Sequence, residues 1–250
     1  NTTFGSGWMH RLLIQSLRWL DVRMVYLVTS LFVIPVCLLL NTNYSRTSAY
    51  HFYRYRLRYG RLRAAWSVYV NHCLFSQVVV DRFAVFAGKH FHLDIEGYDN
   101  FRLLESEPKG FMIFCSHIGC YEVAGYSLIS KTKRFNALVF GGEKATVMAG
   151  RQEVLGHHNI RMIPVKEDMS HLFLVNEALD NNEIMSIPAD RIIGSAKFVT
   201  SVFMDAEARF PAGPLSVATM KGLDVLAVNV MKTSAKHYKV YVARLSYDKQ

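Results

Sequence analysis

The stretch that decides the fold runs from Phe111 to Glu122 and reads FMIFC-S-HIGCYE. Its first five residues, Phe111–Cys115, are apolar and uncharged, and a run of this length predicts a strand buried on both faces. His117 and Glu122 follow the end of that strand. A His oriented by a carboxylate can take a proton from a hydroxyl at neutral pH. The stretch therefore predicts both a central strand and a candidate general base.

After residue 93, short apolar runs alternate with longer segments of mixed polarity. The predicted strands are Phe111–Cys115, Phe135–Phe140, Ile160–Val165, Ile184–Pro188, Val225–Val230 and Tyr238–Ala243. The predicted helices are Gly119–Ser130, Ala145–Leu155, Ser170–Asp180 and Gly213–Lys221. This alternation predicts an α/β fold with a mostly parallel sheet flanked by helices. In such sheets sites form where strands end and helices begin, and His117 is predicted at one of these junctions.

The spacing between His117 and Glu122 restricts how the two can meet. Five positions along a helix turn the chain through roughly 500°, so the pair cannot meet on one helix face. They meet if His117 precedes the helix and Glu122 lies in its first turns, with Gly119 permitting a tight turn. A chance spacing remains open, as does a Cys120–His117 nucleophile pair, although Cys120 falls inside the predicted helix.

The amino-terminal quarter contains an uncharged apolar segment, Met24–Leu40. As a helix it would extend roughly 25 Å, slightly less than the ~30 Å hydrocarbon core of a bilayer, and Pro35 would kink it. A short span, a re-entrant anchor and a buried core helix all remain open, and no small-residue cleavage pattern of a signal peptide follows. We predict a membrane anchor over residues 1–42 and a catalytic domain over residues 43–250.

The flanks of this segment favour a membrane. In the preceding residues, from Trp8 to Leu20, apolar side chains recur at helical spacing with Arg11, Gln15 and Arg18 between them, as in an interfacial helix. In the following residues, Tyr50–Arg63, aromatic side chains alternate with arginines. Tyr side chains favour the headgroup layer of a membrane, and arginines pair with anionic lipid phosphates. A solvated helix face and a single-stranded nucleic-acid surface are the alternatives, but no nucleic-acid-binding motif accompanies the stretch. We therefore expect this part of the chain to bind an anionic membrane and not nucleic acid.

Composition agrees with lipid and anionic partners. Of the 250 residues, 51% are hydrophobic, and the formal net charge of +9 favours anionic lipid, phosphorylated substrates or an acidic carrier protein. The four cysteines form no Cys-x-x-Cys pair, which argues against zinc and thioredoxin-like motifs and indicates reduced thiols in a cytoplasmic setting. Because the chain starts with Asn rather than Met, we expect a trimmed or processed product.

Several ordered motifs add a family resemblance. They are the His117–Glu122 pair, Arg151-Gln-Glu-Val-Leu-Gly156, Ile187-Pro-Ala-Asp190, Val199–Met204 and Ala208–Ala218. From about residue 5 to the end, this order resembles the bacterial lipid A late acyltransferases (the lauroyl/myristoyl transferase family), within the wider glycerolipid and lysophospholipid acyltransferase group that carries a His-x4-Asp/Glu motif. The phosphatidic-acid-forming branch is less similar, since Pro188-Ala-Asp-Arg191 only distantly matches its Glu-Gly-Thr-Arg motif.

The resemblance implies roles for individual residues. It implies that His117 and Glu122 form the catalytic dyad and that Arg151 and Asp190 bind or orient substrate. Arg151 is our candidate for contacting the oxyanion, with a structural salt bridge as its alternative. Asp190 is expected to orient Arg151 or the acceptor, with a helix cap or loop ion pair as its alternative.

The sequence departs from the family pattern at several places. Arg191 replaces a Gln, Met204-Asp205 replaces Phe-Gly, and Cys115-Ser116 stands where many members have Asn or Ala. A family arginine expected near residues 139–140 is missing. These departures leave the dyad intact, but the acceptor does not follow from the resemblance.

The resemblance implies an acyltransferase at the cytoplasmic face of the bacterial inner membrane. The donor would be a thioester of acyl carrier protein or coenzyme A, the acceptor a lipid hydroxyl or amine, and neither a cofactor nor a metal is expected. Two other classes remain open. One is a membrane-bound thioester hydrolase, and the other is a non-catalytic protein that binds membranes or nucleic acid.

Overall fold

A computed structural model describes residues 7–40, 44–120, 123, 128–139, 159–192 and 197–248. The chain divides into two compact units between His90 and Phe91. The functional boundary placed after residue 42 stays a prediction, since the structure divides the chain by compactness and not by activity.

The first unit is helical. Its helices are α1 (Gly7–Trp19), α2 (Val22–Val28), α3 (Ile34–Leu40), α4 (Tyr44–His51) and α5 (Arg61–Phe86). A π-helical turn, Thr29–Val33, joins α2 to α3, and another, Phe52–Arg56, follows α4. The helical pattern expected before Leu20 is present as α1.

Helices α2 and α3 form one long apolar helix, Val22–Leu40, in which the π-turn precedes Pro35. Pro35 has no N–H to donate, and at the end of the π-turn the N–H of Ile34 bonds back to the carbonyl of Thr29. In the most apolar 18 residues of the Val22–Leu40 helix, only 17% are buried within the protein. The helix is long and apolar enough to cross a membrane. In α2, the Tyr26 hydroxyl donates to the buried Asp81 carboxylate of α5.

The second unit is an α/β domain built on a seven-stranded sheet. Its strands are β1 (His92–Glu96), β2 (Phe111–Cys115), β3 (Phe135–Val139), β4 (Ile160–Pro164), β5 (Ile184–Pro188), β8 (Asp224–Ser234) and β9 (His237–Arg244), in the order β1-β9-β8-β2-β5-β3-β4. All neighbours pair in parallel except β8 and β9, which form an antiparallel hairpin. Strand β2 therefore lies at the centre of the sheet, and its first four residues are buried.

Helices and a small hairpin complete this unit. In the described part of this unit, the helices with both ends defined are α6 (Tyr98–Ser106), α7 (His171–Asp180) and α8 (Ala212–Met220). Strands β6 (Phe198–Phe203) and β7 (Ala206–Pro211) form a separate antiparallel pair. Apolar side chains of β2, β5, α7 and the α8–β8 connection share one core cluster, which includes Met112, Met185, Val175 and Leu223.

Most of the sequence-based elements are confirmed. All six predicted strands are present, as are the helices predicted over 170–180 and 213–221. The predicted helix Ala145–Leu155 lies outside the described residues, and so does most of Gly119–Ser130. Within that second range Val123 is helical, but Gly119, Cys120 and residues 128–130 are not, so Cys120 precedes the helix.

The elements that the sequence reasoning missed have weak apolar patterns. Strand β1 has two apolar residues, Leu93 and Ile95, between three exposed polar ones, because it is an edge strand. Strand β6 is exposed along its whole length and has no buried face to produce a two-residue period.

Candidate functional site

Two neighbouring parallel strands bring His117 and Asp190 to the same edge of the sheet. Strands β2 and β5 pair so that their last residues, Cys115 and Pro188, lie opposite each other. The N–H of Ala189 continues the ladder by donating to the Cys115 carbonyl over 2.9 Å. His117 and Asp190 each follow two residues beyond that last pair. The strand register therefore places the imidazole beside the carboxylate.

The Asp190 carboxylate holds His117 at two points. The backbone N–H of His117 donates to Asp190 Oδ2 over 2.9 Å, and Nδ1 of the imidazole lies 2.8 Å from Oδ1. Partial burial opposes ionisation of Asp190, but these two hydrogen bonds outweigh it and lower the pKa of the carboxyl group below its ordinary value. At neutral pH the carboxylate is therefore ionised.

The ionised carboxylate fixes the tautomer of the ring. A carboxylate only accepts hydrogen bonds, so Nδ1 must carry the proton in the contact with Oδ1. In the neutral imidazole Nε2 is then unprotonated and can accept a proton. The His117 and Asp190 side chains are 27% and 28% exposed, so the pair is partly shielded from solvent. This arrangement can perform general-base chemistry.

The loop that carries His117 is fixed against β8. Gly119 has φ +64°, and a Cβ at this position would overlap the Val230 carbonyl oxygen. Only glycine fits such a close approach without displacing backbone. Beside the His, Ser116 Oγ donates to Asn229 Oδ1 over 2.5 Å. The path of residues 116–119 is therefore set by contacts with the neighbouring strand.

The two cysteines near His117 have the environment of structural thiols. Burial raises the pKa of the Cys115 thiol to about 11, with a smaller contribution from the Asp190 carboxylate and against a weak contact from Ser186. Cys120 is 1% exposed. Reactive cysteines lie in accessible, electropositive surroundings that stabilise a thiolate. Neither position provides them, so the geometry favours His117 acting as a base on an incoming substrate.

A second carboxylate anchors the chain where it returns to the sheet. Glu105 in α6 accepts hydrogen bonds from Ser130 Oγ at 2.8 Å and from the Lys131 N–H at 2.6 Å, and it pairs with Arg102. Burial opposes its ionisation, but the hydrogen bonds from Ser130 and Lys131 and the charge of Arg102 lower its pKa overall. Glu105 thus fixes the residues that lead into β3.

The structure places two of the four sequence-predicted site residues and brings them together. His117 and Asp190 are in direct contact, whereas Glu122 and Arg151 lie outside the described residues. The sequence reasoning expected Asp190 to orient Arg151 or the acceptor and missed its bond to the imidazole. A signal was present, since both residues follow predicted strands by two positions. A role of Asp190 in substrate binding stays a prediction.

Comparison with known proteins gives the family. No curated protein matches the chain closely enough to count as a relative. The family model of the bacterial lipid A biosynthesis acyltransferases matches residues 84–245, which is more than half of the chain. This range contains the whole seven-stranded sheet together with His117 and Asp190. The chain therefore belongs to the bacterial lipid A biosynthesis acyltransferase family.

Proposed function

We propose that this acyltransferase moves a fatty acyl chain from a thioester to a hydroxyl or amine of a lipid acceptor. The observation that carries the proposal is the bond between His117 Nδ1 and the Asp190 carboxylate, because it leaves Nε2 as a proton acceptor. Membership of the family supports acyl transfer as the reaction class. The thioester of acyl carrier protein or coenzyme A is the proposed donor.

The proposed reaction is a direct displacement. His117 Nε2 removes the proton from the acceptor, and the resulting nucleophile attacks the thioester carbonyl. The C–S bond then breaks, and the imidazolium returns the proton to the departing thiolate. The Asp190 carboxylate stabilises the imidazolium through the same hydrogen bond that fixes the tautomer. Holding both substrates close supplies much of the rate advantage, and no cofactor besides the thioester is proposed.

Two residues outside the described part of the chain complete the proposal. Arg151 is proposed to contact the oxyanion that forms on the carbonyl oxygen. Glu122 is proposed to act with His117 as the second carboxylate of the dyad. Since Asp190 already accepts from Nδ1, we propose that Glu122 helps to stabilise the imidazolium or acts on the His117 loop or the substrate.

The first unit supports a location at the membrane. Apolar side chains along Val22–Leu40 are exposed, with Phe32 at 66% and Leu39 at 78% exposure. Among the basic residues that follow, Arg63 stacks over Tyr59 at 3.9 Å from the ring centre, and Arg54 lies over Tyr55 at 5.7 Å. Stacked aromatic and guanidinium groups suit the headgroup layer. We propose the cytoplasmic face of the bacterial inner membrane, where an anionic surface would attract them.

An experiment with separated products tests this function. The full chain is incubated with isotope-labelled acyl thioesters of acyl carrier protein and of coenzyme A, with and without a total bacterial lipid extract, and products are identified by mass spectrometry. Transfer predicts a labelled lipid that forms only with extract, and its mass identifies the acceptor. Release of free fatty acid at the same rate without extract would establish a hydrolase instead. Absence of any thioester turnover would establish a non-catalytic protein.

A further inference from the structure

Three potential metal ligands lie together at the edge of the sheet. His92 and Asp94 belong to β1, and His237 begins β9. The two strands pair in parallel with His92 directly opposite His237, and their ring centres are 4.3 Å apart. Because side chains alternate along a strand, His92 and Asp94 point to the same face of β1. The pairing thus brings two imidazoles and one carboxylate together.

Two pairs of ligand atoms lie at spacings close to those that a small divalent ion requires, and the shorter spacing is a hydrogen bond that the ion would replace. Asp94 Oδ2 lies 2.9 Å from His237 Nε2, and Asp94 Oδ1 lies 3.5 Å from His92 Nε2. One ligand atom from each residue lies within 4.8 Å of the others. Two donors bound to a tetrahedral zinc ion at about 2.0–2.1 Å are about 3.3 Å apart. The two observed distances lie on either side of that value.

We propose that His92, Asp94 and His237 form a binding site for a divalent transition metal ion of the zinc class. Imidazole with one carboxylate suits Zn²⁺, Ni²⁺ and Cu²⁺, whereas Mg²⁺ and Ca²⁺ prefer sets made of oxygen atoms. Three protein ligands leave the fourth tetrahedral position for water. The side chains are accessible to the ion, with His92 68% and Asp94 60% exposed.

A lysine lies beside the cluster, and its ammonium group is bonded to a carboxylate outside the cluster. Lys239 lies opposite Asp94 in the strand pairing, but its ammonium group bonds to Glu96 over 2.8 Å and lies 5.0 Å from the centre of the Tyr241 ring. That lysine is therefore held by another carboxylate. The backbone of His92 is also tied to the neighbouring strand, because its N–H donates to the Lys236 carbonyl over 2.9 Å.

Binding would join the edge strand to its neighbour. Strand β1 pairs only with β9 in the described sheet, so an ion held by both strands would stabilise the outermost pairing. Strands β8 and β9 are antiparallel, so β9 starts at the end of the sheet where β8 finishes. Strand β2 is parallel to β8 and finishes at the same end. The site is distinct from the His117–Asp190 pair and does not depend on the proposed acyl transfer.

Calorimetric titration with ZnCl₂ tests the site directly. The full chain is used in detergent after removal of any polyhistidine tag, and His92→Ala, His237→Ala and Asp94→Asn are compared with wild type. We expect one Zn²⁺ per chain in the wild type and at least about a tenfold loss of affinity in each variant, since even indirect supports of a metal site cost 10–100-fold. His90→Ala is the matched control, because His90 is exposed and lies outside the cluster.

Two further measurements remove ambiguity. Thermal unfolding without metal shows whether each variant is folded, and His92→Gln replaces His92→Ala if the alanine variant is not. With Zn²⁺, unfolding of the wild type and of His90→Ala should move to higher temperature, and unfolding of the ligand variants should not. Equal Zn²⁺ affinity in wild type and folded ligand variants would overturn the proposal, as would failure of the wild type to bind Zn²⁺.

Discussion

Replacing Asp190 with Asn changes one oxygen to an NH₂ group and keeps the shape of the side chain. In the wild type Oδ2 accepts from the His117 backbone N–H at 2.9 Å, and Oδ1 accepts from Nδ1 at 2.8 Å. An amide has only one oxygen and cannot accept from both donors. If that oxygen keeps the backbone N–H, the NH₂ group donates to Nδ1 and forces the proton onto Nε2. If the amide is turned over, two donors face each other at the backbone.

The first outcome gives the imidazole the wrong tautomer, and the second displaces the His117 backbone; both remove the negative charge that stabilises the imidazolium. Loss of a positioned general base costs about 10²–10⁴-fold in rate, which corresponds to roughly 2.7–5.4 kcal/mol of transition-state stabilisation. We expect kcat for acyl transfer to fall by this amount while KM for the thioester changes little. Asp248→Asn is the control, because Asp248 is an exposed aspartate elsewhere in the same unit. Labelled acyl thioester and lipid acceptor, followed by mass spectrometry over time, give both constants.

The Asp190→Asn substitution should also change how the free energy of unfolding depends on pH. Because the pKa of Asp190 is lowered by folding, its contribution is present above the unfolded-state value of about 3.9 and is lost as pH falls through the lower folded-state value. Urea unfolding should therefore separate wild type from Asp190→Asn at pH 6, and the difference should shrink below about pH 4. Full activity of Asp190→Asn together with an inactive Glu122→Gln would refute the reasoning, since Glu122 alone would then orient the imidazole.

Two further substitutions test how the site is held in place. Gly119→Ala should lower transfer activity strongly. A residue with a side chain is destabilised by about 1–2 kcal/mol at φ +64°, and the new Cβ would also overlap the Val230 carbonyl oxygen. Gly60→Ala is the matched control, since its Cβ would meet nothing within 4 Å. Activity equal to that of the control would show that the loop path does not position the base. Glu105→Ala should lower the free energy of unfolding by about 1–3 kcal/mol in urea titrations at neutral pH, because the Ser130 hydroxyl and the Lys131 N–H lose their acceptor. An unchanged midpoint would show that water replaces the carboxylate without cost.

The sheet could be predicted because its central strands are buried on both faces. Runs such as Phe111–Cys115 and Ile184–Pro188 contain almost no polar side chains, so they stand out against their flanks. The edge strand β1 could not be recognised in this way, because its exposed face carries His92, Asp94 and Glu96. The exposed hairpin β6–β7 lacks a buried face altogether along β6.

Both described residues of the site were predicted from the sequence, but the contact between them was not. His117 follows a recognisable strand, so its place at a strand end follows from sequence alone. Asp190 is 73 positions away, and its contact depends on β5 lying beside β2, which is a property of strand order. Glu122 was proposed as the partner of His117 because it is near in sequence and completes the family's His-x4-Asp/Glu motif. Strand pairing brings a distant carboxylate to Nδ1, and one sequence does not reveal that pairing.

The rate of acyl transfer by His117→Ala tests the central claim most directly. The substitution removes the imidazole but keeps the backbone N–H that donates to Asp190, so the loop retains that tie. With purified full-length chain, labelled thioester and lipid extract, the account predicts at least about a 10²-fold lower rate of labelled lipid formation from a variant that still unfolds cooperatively and floats with liposomes. A wild-type rate from folded, membrane-bound His117→Ala would contradict the account.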